Sequence, residues 1–115
     1  MESSTAPPTV ARYADMLAAL GAEPRLRVMR LLLSAHPEGM VVGDLQAQLD
    51  IPGPTLSHHL DKLRQEGLVM VRREKRFQRY TANGEALREI LAFLFEECCG
   101  RSGAVRPETI TRRRR

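Results

Sequence analysis

The sequence predicts a mainly α-helical chain with one small β-hairpin, in the order α-α-α-α-β-β-α. Three observations predict it. Leu56, Leu60 and Leu63 recur at i, i+4 and i+7 between Pro54 and Gly67, so they share one face of a short helix that can be buried. Gly67-Leu68-Val69 follows at once and opens two short β-prone runs around Glu74-Lys75-Arg76. A second short helix, near Gly43 to Leu49, precedes the first across Asp50-Ile51-Pro52-Gly53, a turn rich in residues that fix or relax φ. Two short helices joined by such a turn and followed by a basic hairpin make a winged helix-turn-helix, an arrangement suited to DNA.

The remaining elements follow in order. Met1 to Thr9, with Ser3, Ser4, Thr5, Pro7 and Pro8, is expected to be disordered. From Val10 to Leu20, Tyr13, Met16, Leu17 and Leu20 keep helical spacing, and Gly21 ends the run. Glu23 and Pro24 suit the first turn of a second helix, where proline loses no needed hydrogen bond. That helix passes through Leu26, Val28, Met29, Leu31, Leu32 and Leu33 to about Ala35 and breaks at His36-Pro37-Glu38-Gly39. Apolar on several sides, it is the expected central core helix. Met40 and Val41 suggest a brief strand, and Leu45 and Leu49 should face inward from the third helix. The hairpin strands are expected at Leu68 to Arg73 and Phe77 to Thr81. Glu-Lys is a poorer tight turn than Asn-Gly, which predicts a wider or more mobile loop at the wing tip. A last helix, about Gly84 to Cys98, carries Leu87, Ile90, Leu91, Leu94 and Phe95, with Gly100 as its stop. Residues 10–100 thus form one domain, and residues 101–115 a flexible tail ending in four arginines.

At 115 residues there is room for one compact domain and a tail. With 43% hydrophobic residues, 4% aromatic and no Trp, the core is small, and such a core gains from a second copy, so a homodimer is expected. No apolar run approaches the roughly 18 residues that span a membrane. Met1 to Pro8 lacks the features of a signal peptide and two cysteines cannot make a disulfide framework, so the expected compartment is the cytoplasm. Charge is segregated: Pro54 to Thr81 holds seven basic and three acidic residues, and Arg112 to Arg115 add four basic ones. The remainder, with seven basic against eleven acidic residues, is net negative. A basic reader on an acidic body is the footprint of a nucleic-acid binder, the plainer alternative being a solvated basic face.

Candidate DNA-contacting residues follow from the helix wheel. Pro54, Thr55, Ser57 and His58 occupy the first turns of the second short helix, where side chains reach base edges and backbone N–H groups meet phosphate. Lys62 lies farther along the same polar side, and Gln46 in the preceding helix is placed for a phosphate. His59 lies nearer the leucine stripe and is assigned a packing or intrahelical role. Arg72, Arg73, Lys75 and Arg76 should meet the minor groove and phosphates at the wing, with Arg79 left open. An enzyme is not expected: the chain has no Cys-x-x-Cys, no phosphate-cradling loop and no nucleophile paired with a base. A winged helix used only for protein docking is the other class, against which the arginine-rich wing argues.

Across residues 10–98 the chain resembles the ArsR/SmtB family of repressors. The resemblance rests on Ala19 to Leu33, including Leu20-Gly21-Ala22-Glu23-Pro24-Arg25-Leu26-Arg27, with Asp44-Leu45 and Leu56-Ser57-His58-His59-Leu60-Asp61-Lys62-Leu63-Arg64. Glu66-Gly67-Leu68-Val69 and Arg72-Arg73-Glu74 through Tyr80 complete it. It implies a homodimer paired through the first and last helices, bound to operator DNA and released by a metal or metalloid. The family's third-helix thiolate positions are Val41 and Gly43 here, and none of His36, His58 and His59 lies in the last helix, so two of its ligand sites are absent. What remains is Cys98-Cys99, a vicinal pair like that of arsenic-sensing members. The resemblance therefore implies no permanent cofactor but a trivalent arsenical as effector, held by Cys98 and Cys99. Two thiolates favour methylarsenite, with arsenite and antimonite as further candidates. A redox switch is the alternative for this pair, as is an inert pair, because Cys98 continues the stripe of Leu87, Leu91 and Leu94.

Overall fold

The computed structural model describes residues 9–97. Helix α1 (Val10–Leu20) is capped by Thr9, whose backbone is extended and whose side-chain hydroxyl accepts the Arg12 N–H at 3.4 Å. Thr9, expected in the N-terminal segment, therefore caps the first helix. Helix α2 (Glu23–Ser34) has no side-chain cap and uses Pro24 in its first turn instead. Strand β1 (Met40–Val41) runs straight into helix α3 (Val42–Leu49), which ends on Asp50 in the left-handed conformation at φ 55°. Helix α4 (Gly53–Gln65) follows, then strands β2 (Val69–Glu74) and β3 (Phe77–Ala82), and helix α5 (Gly84–Glu97) closes the described chain. The expected helix end at Cys98 and the stop at Gly100 lie outside the described residues.

The chain divides into two units after Gly84. In the first, α2 is central: it packs on α1, α3, α4 and β3. It presents Val28, Met29 and Leu32 to that core, where Met16, Ala19, Leu45, Leu49, Leu56, Leu60 and Leu63 are also buried. It is not buried all round, since Leu26 is 48% exposed. The sheet has the order β1-β3-β2 and is antiparallel throughout. Val69, Tyr80 and Ala82 are buried on one face, while Met70 and Phe77 stand exposed on the other. The second unit holds α5, in which Arg88 pairs with Glu85 one turn earlier and Leu91 and Leu94 are exposed. No helix among the described residues is long and apolar enough to cross a membrane.

Two backbone details go beyond what the sequence predicts, and the first differs from it. The wing is tight rather than wide. The β2–β3 ladder runs unbroken from Val69 opposite Ala82 to Glu74 opposite Phe77, leaving only Lys75 and Arg76 as the loop. Lys75 takes φ 58°, at a cost of about 1 kcal/mol for a residue with a Cβ, and the ladder outweighs that local preference. The second detail is Gly39, at φ 74°, where the chain turns from α2 onto the sheet. A Cβ there would lie 2.0 Å from the Tyr80 carbonyl oxygen and 2.6 Å from Thr81 Cγ2. Gly39 therefore lets β1 reach its partner β3.

Two glycine substitutions with opposite signs test this account. Gly39→Ala should lower unfolding free energy by about 3 kcal/mol in urea denaturation, from left-handed strain plus collision with β3. Gly43→Ala, in α3 with nothing within 4 Å of the added Cβ, should raise it by about 0.8 kcal/mol.

Candidate nucleic-acid interface

Three fully buried leucines decide which face of α4 turns inward. Leu56, Leu60 and Leu63 have no exposed surface, so the residues between them are forced outward. Pro54, Thr55, Ser57, His58 and Lys62 are all exposed, which is where the sequence reading put them. Leu56 N–H begins the helical ladder by donating to the Pro52 carbonyl at 2.9 Å. No side chain caps this end, so its first-turn N–H groups suit an anion such as a phosphate. Gln46 is exposed on α3 with its amide over Gly53, 3.6 Å from where a Cβ would lie. It borders an open cleft of about 480 Å³ shared with Gly43, Ala47, Asp50, Ile51 and Pro52, beside the start of α4.

The far end of α4 is closed by a Schellman motif. Leu68 N–H reaches the Leu63 carbonyl at 3.0 Å and Gly67 N–H reaches that of Arg64 at 2.9 Å, with Gly67 at φ 74°. The chain is thereby turned directly into β2, and Asn83 fastens the junction through bonds to the Gly67 and Leu68 carbonyls, each at 2.8 Å. One short segment thus places both the helix and the wing.

The wing cations are not equivalent. All four candidates, Arg72, Arg73, Lys75 and Arg76, are exposed. Arg72 and Arg79 stand directly opposite each other across the strands, an unfavourable pairing that Glu74 offsets by bonding both. Its carboxylate accepts from Arg72 Nη2 at 2.5 Å and from Arg79 Nε at 2.9 Å. Those bonds, with Arg79 contributing most, hold the Glu74 carboxyl below its usual range. Arg79 also donates to the Gly39 carbonyl at 3.4 Å and so braces the sheet. Among the described residues Arg73, Lys75 and Arg76 have no carboxylate partner. Arg72, expected at the wing with them, is the one of the four that shares Glu74.

His59 has the packing role expected of it. Its Nδ1 lies 3.3 Å from Arg25 Nη1 on α2. An arginine only donates, so Nδ1 accepts and the ring is neutral with its proton on Nε2. Partial burial, then the charges of Arg25 and His58, hold its pKa below the ordinary histidine value. Two other contacts had no sequence signal: Arg12 pairs with Glu66, 54 positions away, and Arg25 donates to the Ala19 carbonyl at 2.6 Å. Cys98 and Cys99 lie outside the described residues.

Two measurements probe the site. The unfolded chain binds the His59 proton more readily than the folded one. Its contribution to stability is therefore complete above about pH 6.5 and is lost as pH falls through the lower folded value. Urea denaturation across that range should show a smaller acid loss in His59→Gln. For the wing, Arg73→Ala should reduce the salt slope of DNA affinity by about 0.9, the value of one phosphate contact. Glu74→Gln, which releases Arg72 and Arg79, should steepen it.

Comparison with known proteins agrees with this geometry. Residues 15–72 match the family model described as a helix-turn-helix domain. The transcriptional activator HlyU of Vibrio cholerae is 30% identical over 89 residues, covering 77% of this chain and 80% of its own. Its solved structure superposes with a TM-score of 0.60 at 35% identity, over 74% of this chain and 92% of that one. A Halobacterium salinarum relative that bears the name of arsenical resistance operon repressor ArsR is 29% identical over 89 residues, 76% of this chain and 68% of its own. An ArsR-like transcriptional regulator from Rhodococcus sp. RHA1 superposes with a TM-score of 0.69 at 26% identity, over 78% of this chain and 82% of that one. The fold that sets α4 beside the wing is shared with these regulators of transcription, and the chain belongs to the helix-turn-helix domain family as a regulator of the ArsR/HlyU type.

Proposed function

We propose that this regulator binds operator DNA as a homodimer and leaves it when Cys98 and Cys99 chelate a trivalent arsenical, making it a repressor of an arsenic-resistance operon. The observation that carries the DNA half is the exposed row Thr55, Ser57, His58 and Lys62 on α4, beside Arg73, Lys75 and Arg76 at a tight wing tip. Dimerisation through the first and last helices is supported by apolar side chains left in water on each. Val10 and Leu17 are 70% and 38% exposed on α1, and Leu91 and Leu94 are 42% and 48% exposed on α5. Pairing would set the two α4 helices one DNA turn apart, about 34 Å.

The effector half rests on chemistry. Adjacent thiols are soft donors suited to trivalent arsenic, the thiolate positions in the third helix are Val41 and Gly43, and one relative bears the name of an arsenical resistance operon repressor. A second reading makes the same pair a redox switch. It is favoured by the likeness to reduced HlyU, at 35% identity and a TM-score of 0.59. Fluorescence anisotropy of the reduced protein on its own upstream DNA separates them. Arsenite or methylarsenite should release the DNA, and Cys98→Ser with Cys99→Ser should abolish release without weakening binding. Release by peroxide, with neither arsenical acting, would establish the redox reading instead.

A further inference from the structure

We propose that Arg12 and Arg25 are positioning residues for DNA reading: they tie α1 to α4 at two separate points, so that α1 sets the direction in which α4 presents Thr55, Ser57 and His58. The proposal rests on the reading that α4 meets DNA. Arg12, in the first turn of α1, holds the end of α4 with both arms of its guanidinium. Nη1 pairs with the Glu66 carboxylate and Nη2 donates to the Glu66 carbonyl at 2.9 Å. Arg25 holds the middle of α4 and the end of α1 together. Its Nε donates to the Ala19 carbonyl at 2.6 Å while Nη1 meets His59 Nδ1 at 3.3 Å. Each contact uses the fixed fork of an arginine to bridge two acceptors, which a single ammonium cannot reproduce.

Burial of α4 does not require these ties. Leu56, Leu60 and Leu63 are already wholly covered, and the Schellman motif at Gly67 closes the helix. The Arg12–Glu66 pair is partly exposed, with side chains 42% and 26% accessible, where an ion pair contributes little to stability. Apolar contact is non-directional and leaves a helix some freedom to roll or slide, whereas forked hydrogen bonds are directional. Part of the seam between α1 and α4 is an open cleft of about 220 Å³ lined by Asp15, Ala18, Ala19, Arg25, Lys62, Gln65 and Glu66, so packing does not fill it. Arg25, its acceptor Ala19 and Glu66, the partner of Arg12, all border that cleft. α1 also exposes Val10 and Leu17, so repacking on that helix has these two links to α4 in addition to its direct packing.

The test uses the full chain, a duplex selected from a random-sequence pool by the unaltered protein, and a scrambled duplex of the same composition. Arg12→Ala and Arg25→Ala should each lose about tenfold in affinity for the selected duplex and less than about twofold for the scrambled one. Arg12→Lys and Arg25→Lys should recover only part of the loss, because charge is kept and the fork is not. Hydrogen exchange on DNA-free protein should quicken along residues 53–65 in the alanine variants and less in the lysine variants. An unchanged ratio of the two affinities with unchanged exchange in α4 overturns the proposal. So does a loss on both duplexes that merely follows the folded fraction in urea; should an alanine variant fail to fold, the lysine variants give the same comparison. If the unaltered protein selects no duplex, the DNA reading itself fails, and the exchange data alone decide whether the ties restrain α4.

Discussion

Burial of one side of α4 governs most of what this molecule presents to its surroundings. Leu56, Leu60 and Leu63 each gain about 2 kcal/mol from leaving water, and at helical spacing that gain dictates which residues face outward. The same helix then ends on Leu63, Arg64 and Gly67 in a motif that turns the chain straight into β2. The inward face of the reading helix and the position of the wing are therefore one decision rather than two. β1 joins the arrangement from the other side of β3, and Gly39 is what lets that close approach happen without a collision.

The basic residues of the chain divide by what their neighbours leave them to do. Lys75 and Arg76, in the two-residue loop, and Arg73, in β2 just before it, keep their charge for solvent or phosphate. Arg72 and Arg79 share Glu74, and Arg79 also grips the chain at Gly39. Arg12 and Arg25 are turned onto α4 and act as braces. A net charge of +4 says nothing of this division, because the same guanidinium serves as a phosphate clamp or a strut according to the acceptors in reach.

The ties from α1 give the proposed regulation a physical route on the DNA-reading side. A helix that exposes Val10 and Leu17 while holding α4 through arginine forks would couple the proposed partner contact to the geometry of reading. The ligand end of that regulation stands on the chemistry of two adjacent thiols at positions 98 and 99, and on a relative's name, independently of these ties.

What the sequence determined by itself was whatever depends on neighbours within a turn or two. The limits of α1, the first turn of α2 at Pro24, the brief β1 and the buried face of α4 were all legible, because caps, prolines and apolar periodicity act locally. The outward row from Pro54 to Lys62 followed from the same periodicity. Tertiary structure alone decided the rest. Local turn preference at Glu74-Lys75 pointed to a wide loop, and the full β2–β3 ladder imposed a tight one. Glu74 gained two arginines through strand register, Gly39 met Tyr80 through sheet pairing, and Arg12 found Glu66 across 54 residues. Such contacts depend on the path of the whole chain, and no spacing within a short window encodes where that path brings two residues together.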